Sequence, residues 1–173
     1  MEWPKAANAS RRSCQRSFRL AIVLVGCCAG AAHADSEAMR AANRISTHIA
    51  GQATSLRICA SVDTTNAAAY RTAAAQYRGD ADIAAADSAA RKILADEARR
   101  AGRSEKQSAL AEQNAEAAVA ASLRQAAAQD KARFTAECRD ELRNFGTHSG
   151  SFAPLSDLFP YEMKLISAST SGQ

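Results

Sequence analysis

No proline falls between Pro4 and Pro154, so nothing in that long stretch forces a helix to stop or kink. Histidine is almost as scarce. His33, His48 and His148 are the only three, and none takes part in the Glu-x-x-His spacing with which helical bundles hold carboxylate-bridged metals. Aromatic residues make up 5% of the chain and do not interleave with basic ones, which removes the stacking pattern of single-strand nucleic-acid readers. There is no phosphate-cradling glycine loop and no Cys-x-x-Cys-His haem signature. The one long apolar run, Leu20 to Ala32, is too short for a stable membrane anchor, and no later segment approaches the roughly 20 residues of a membrane-spanning helix. These gaps point away from enzymatic chemistry, from cofactors and from nucleic acid.

The net charge of +4 does not belong to the whole chain. Five of the 22 basic groups, Lys5, Arg11, Arg12, Arg16 and Arg19, precede residue 35 with one of the 18 acidic ones, Glu2, and the remainder is balanced at 17 of each sign. Alanine supplies 43 residues, and from Asp35 onward only 25 side chains are large and apolar. That composition supports one small, slender domain without a deep pocket.

Residues 1–34 have the three-part plan of a secretory signal: a cationic start, the small and apolar run Leu20 to Ala32, and Ala32-His33-Ala34 before a cleavage point at Ala34 and Asp35. Leu24-Val25-Gly26-Cys27 resembles the lipobox of bacterial lipoproteins, which implies acylation at Cys27 as the alternative fate. Cleavage after Ala34 leaves two cysteines, Cys59 and Cys138, and an even pair in an exported chain favours a disulfide.

The rest reads as all-α, an elongated Ala-rich three-helix bundle or long helical hairpin with coiled-coil character and a short irregular C-terminal segment. Small or apolar residues at 42, 45, 49, 56 and 59 occupy the a and d positions of a first helix, about 36–60, with Gln52 as the polar exception and Asp35 or Ser36 as its cap. Ser61 to Asn66 reads as a turn that puts Asp63 and Asn66 inward. A second helix, about 66–101, either bends at Gly79 or breaks there with Asp80 as a new cap. Gly102 then stops it, and Ser104 with Gln107 makes a capping box for a third helix, about 104–145. Val119, Leu123, Ala127, Phe134, Cys138, Leu142 and Phe145 share one face of that helix, while Glu112 with Glu116 and Glu137 with Glu141 read as parts of a solvated face. In a simple hairpin the midpoint of the two cysteines falls about four residues before the Gly102-Arg103 turn, which brings them roughly level. The basic residues Arg91, Lys92, Arg99, Arg100 and Arg103 near that turn are mixed with acids and read as a solvated tip.

Residues 147–173 form an apolar segment followed by a mobile tail. Phe152, Leu155, Leu158, Phe159 and Tyr161 either cap the bundle near the disulfide or contact a partner, and Pro154 and Pro160 argue against a continuous helix. The expected role is structural: an exported envelope protein of a Gram-negative-like bacterium, an adaptor or spacer that meets another envelope protein, with no span in the mature chain. A homodimer is a further option. A lipoprotein tether acylated at Cys27 and a soluble periplasmic inhibitor or immunity-type binder are the alternatives. A carrier of amphipathic ligands ranks below them, because alanine-lined helix contacts leave little cavity.

Overall fold

The computed structural model divides the chain into two units, Met1–His33 and Ala34–Gln173, and describes residues 37–171, all within the second. The signal segment, the cleavage point at Ala34 and Asp35, Cys27 and the Asp35 or Ser36 cap lie outside the described residues. These comprise seven α-helices and two 3₁₀ turns, with no strand among them. The class is all-α.

Helix α1, Glu37–Val62, is the hub: α2, α3, α4, α5 and α7 all pack on it. Its buried Ala42, Ile45, Ile49, Leu56 and Cys59 are the stripe read from the sequence, and Ala41, Ala53, Thr54, Ser55, Ile58 and Ala60 widen it to serve neighbours on several sides. Gln52, the polar exception, keeps a buried Oε1 without a hydrogen-bond partner. The chain leaves α1 at Asp63, passes through the 3₁₀ turn Thr64–Asn66 and rises as α2, Ala67–Gly79, and α3, Ala81–Arg100.

The α2–α3 junction is the aspartate break rather than a bend. Asp80 takes an extended conformation (φ −62°, ψ 132°) and its carboxylate accepts the free amides of Asp82 and Ile83, both at 3.0 Å. Left-handed Gly102 (φ 70°) ends α3, with Arg103 N–H bonded to Ala98 O at 2.9 Å. Ser104 and Gln107 then form the reciprocal capping box that opens α4, Glu105–Gln129.

The expected third helix, 104–145, is two helices. Asp130 breaks it, accepting Arg133 N–H at 3.0 Å, and α5 runs Lys131–Gly146. This is a reversal. Glu116 of α4 bonds Thr54, and Glu141 of α5 bonds Ser55, the next residue on α1. In one straight helix those glutamates would stand roughly 37 Å apart at 1.5 Å per residue. Cys138 therefore reaches Cys59 because α5 doubles back along α4, not because one long helix returns from the Gly102 turn. The sulfurs are 2.05 Å apart and the Cα atoms 5.5 Å apart.

The C-terminal segment is also corrected. After a 3₁₀ turn, Gly150–Phe152, come α6, Leu155–Leu158, and the twelve-residue α7, Pro160–Ser171, where an irregular piece and a mobile tail were expected. Pro160 stands at the first helical position, where its missing N–H costs nothing and its fixed φ suits the helix. The serine and threonine hydroxyls turn inward onto the helix: Ser167, Ser169 and Thr170 donate to the carbonyls of Met163, Leu165 and Ile166. Buried Ile166 anchors α7 against α1 and α3.

Candidate functional site

Three regions carry polar or exposed groups that packing alone does not explain. The first surrounds the disulfide. Asp63, only 4% exposed, accepts hydrogen bonds from Asn66 Nδ2 at 2.9 Å, Arg139 Nε at 3.1 Å and the Tyr70 hydroxyl at 3.4 Å. The Asn66 and Arg139 bonds hold its carboxyl below the ordinary carboxylate range. Burial, aided by the Asp63 carboxylate, pushes the Tyr70 hydroxyl up to about 12. Glu141 goes the other way: burial raises it, although Ser55 Oγ donates to it at 2.6 Å. Glu141 is thus not part of a solvated face, whereas Glu137 pairs with Arg133 at 2.9 Å at the surface. This cluster fastens α1, α2 and α5 beside the crosslink.

The second region is the seat of the C-terminal segment, at the end of α1 remote from the disulfide. His48 Nε2 donates to Ser151 O at 3.0 Å and its ring stands edge-on to Phe159, 4.9 Å between centroids. Burial lowers the His48 pKa more than the Ser151 bond raises it, so the neutral ring is favoured. Arg44 pairs with Glu162, which is 8% exposed, and lies 5.8 Å over the Phe159 ring. The Tyr161 hydroxyl donates to Glu37 Oε2 at 3.1 Å. Of the five residues singled out as partner contacts, Phe152 and Leu155 are buried in the chain's own core, Leu158 and Phe159 are half-buried, and Tyr161 is 58% exposed. The segment folds back, but away from the disulfide rather than over it.

Where this segment meets the α2–α3 break it leaves a groove of about 900 Å³. Ile83, Ala86, Phe152, Leu155, Met163 and Ile166 give it an apolar lining, with Asp80 and Asp82 also on its wall. Tyr77, packed edge-on to Phe152 at 5.5 Å, is 6% exposed, and its hydroxyl has no hydrogen-bond partner. The composition argued against such a space. It arises because the groove lies not between alanine-faced helices but between a helix break and a chain that returns from α5, and no local pattern in the sequence marks that meeting.

The third region is α4. Of its 25 residues only Ala127 is buried, and Leu110 is 55% exposed. Arg57 and Arg91 pair with Glu116 and Glu112 and tie α4 to α1 and α3. Burial costs the Glu116 carboxyl less than the Arg57 bond gives it, and its pKa is lowered. Between these ties and Arg124 an open cleft of about 600 Å³ separates α4 from the Thr54–Ser61 stretch of α1. At the α3–α4 turn, Arg99 pairs with Asp96, and Arg100 with Glu97 at 2.8 Å.

Among the described residues no helix is long and apolar enough to cross a membrane. Comparison with protein families, with characterised proteins and with solved structures finds no match.

Proposed function

We propose that this chain is a non-enzymatic interaction protein of a bacterial envelope, an adaptor or spacer whose helix α4 presents the surface that another envelope protein covers. The finer architecture in this reading is a helical bundle built around α1, closed by the Cys59–Cys138 crosslink at one end and by the returning C-terminal segment at the other. The observation that carries it is the single buried residue in the 25 of α4.

Alanine explains how such a helix persists. Its high intrinsic helix propensity keeps α4 wound with little tertiary support. Exposed Leu110, Ala111, Ala118 and Ala121 lie within about 100° of one another round α4 and offer a low, apolar relief on which a partner helix can approach closely. Each alanine buries little, at roughly 25 cal/mol per Å², so the affinity would come from a long contact rather than from one deep anchor. Export through the segment before Asp35 supplies the envelope, and an acylated Cys27 would turn the same surface into a membrane-tethered one.

A photo-crosslinking amino acid placed in turn at Leu110, Ala118 and Ala121, and at Tyr161 for comparison, tests the proposal in intact cells. Adducts of one defined mass from the α4 positions support it. Crosslinks from Tyr161 alone would move the partner surface to the C-terminal segment, and no adduct from any position would overturn the interaction role.

A further inference from the structure

The groove beside Tyr77 lies apart from α4 and has its own chemical character. Its volume of about 900 Å³ is that of a small-molecule site. Its lining is mostly apolar, and the carboxylates on its wall are those of Asp80 and Asp82, with no lysine or arginine among the described residues that line it. An anion finds no welcome at the adjoining start of α3, because the Asp80 carboxylate already occupies the Asp82 and Ile83 amides. The hydroxyl of Tyr77, which also lines the groove, is buried without a hydrogen-bond partner. Buried polar atoms are paired in nearly all native structures and a phenol can donate or accept, so a polar head group is the missing complement and the two carboxylates set its sign.

We propose that this groove binds a small amphipathic cation, an apolar body lying on Ile83, Phe152, Met163 and Ile166 with a protonated amine beside Asp80, Asp82 and the Tyr77 hydroxyl. The apolar surface supplies the attraction, and the acidic wall selects the sign of the head group. This site needs no partner protein and stands or falls independently of the α4 surface.

Calorimetric titration of the protein purified from its native host, with dodecylammonium below its micelle concentration, tests it directly. Dodecanoate and dodecanol serve as chain-matched probes. One saturable site for dodecylammonium is expected, with dodecanoate weaker by about tenfold or more. Tyr77→Phe should weaken dodecylammonium by about threefold or more while the unfolding midpoint stays at or above the parent value, because the substitution removes a buried hydroxyl that the free protein leaves unpaired. Met163→Trp fills the groove from a half-buried position and should abolish the heat of binding with the helical circular-dichroism signal retained. Equal affinity for dodecanoate, the absence of a saturable site, or unchanged binding in both variants would overturn the proposal.

Discussion

Asp63 and Glu141 each lie within one helical turn of a crosslinked cysteine, yet their surroundings pull them in opposite directions. Asp63 is held charged by Asn66 and Arg139, so its contribution to stability is present above the ordinary carboxylate pKa and is lost as pH falls through its lowered folded value. Glu141 is raised by burial, so the folded state holds its proton more tightly than the unfolded chain. Its contribution is complete below the ordinary carboxylate pKa and is lost as pH rises through the raised value. Glu141→Gln keeps an acceptor for Ser55 and removes the half-buried charge. It should stabilise the protein at pH 7 by up to about 1 kcal/mol and leave stability near pH 4 unchanged. Urea midpoints across that range provide the check, and a variant less stable at pH 7 would contradict the assignment. The inward placement of Asp63 was legible from the run of turn-forming residues at 61–66. The burial of Glu141 was not, because it depends on α5 lying against Ser55, and a glutamate one turn from another reads as surface.

At the scale of elements, two aspartates of the same local type had different legibility. Asp80 follows a glycine and is readable as a cap; Asp130 follows Gln129 within an alanine-rich run whose apolar positions continue on both sides. The periodicity hid the reversal because α4 and α5 each keep helical spacing, and the joint shows only in which residues of α1 they touch. Asp130→Ala removes the bond to Arg133 N–H and should cost about 1 kcal/mol in a denaturant titration. A neutral result would mean that packing alone sets the turn. The C-terminal helix was obscured by the opposite error, a proline read as a breaker where it serves as a first residue. The clasp of the C-terminal segment on α1, through Tyr161 on Glu37, Glu162 on Arg44 and Ser151 on His48, is long-range and leaves no local pattern. Because His48 has a lowered pKa, its share of that clasp is present above the ordinary histidine value near 6.5 and is lost as pH falls below it through the folded value. Amide exchange of residues 150–163 should therefore quicken between about pH 7 and pH 5 relative to His48→Gln. Equal pH profiles in the two proteins would remove His48 from the clasp.

For the molecule as a whole, the crosslink closes a loop with a sequence separation of 79 residues and joins α1 to α5, the last helix before the chain turns toward the remote end of α1. On the chain-entropy model that closure is worth about 4 kcal/mol, a large share of a small domain's stability. Cys59→Ala with Cys138→Ala should lower the unfolding free energy by an amount of that order, read from chemical denaturation with and without reductant. A double variant as stable as the oxidised parent would show that the core closes without it. The pairing itself was readable from the count of cysteines left after the leader. The hairpin arithmetic that brought them level reached the right pair through the wrong path, since it assumed one helix where there are two.

In the proposed role α4 is wound but uncovered in the isolated chain and covered in a working assembly. Hydrogen exchange of residues 105–118, measured on the purified protein and again on the protein captured from its native envelope fraction without dissociation, separates the two states. The expected result is amides that exchange far faster than those of α1 in the purified protein and become protected in the captured one. Protection equal to that of α1 in the purified protein, or no gain on capture, would contradict it.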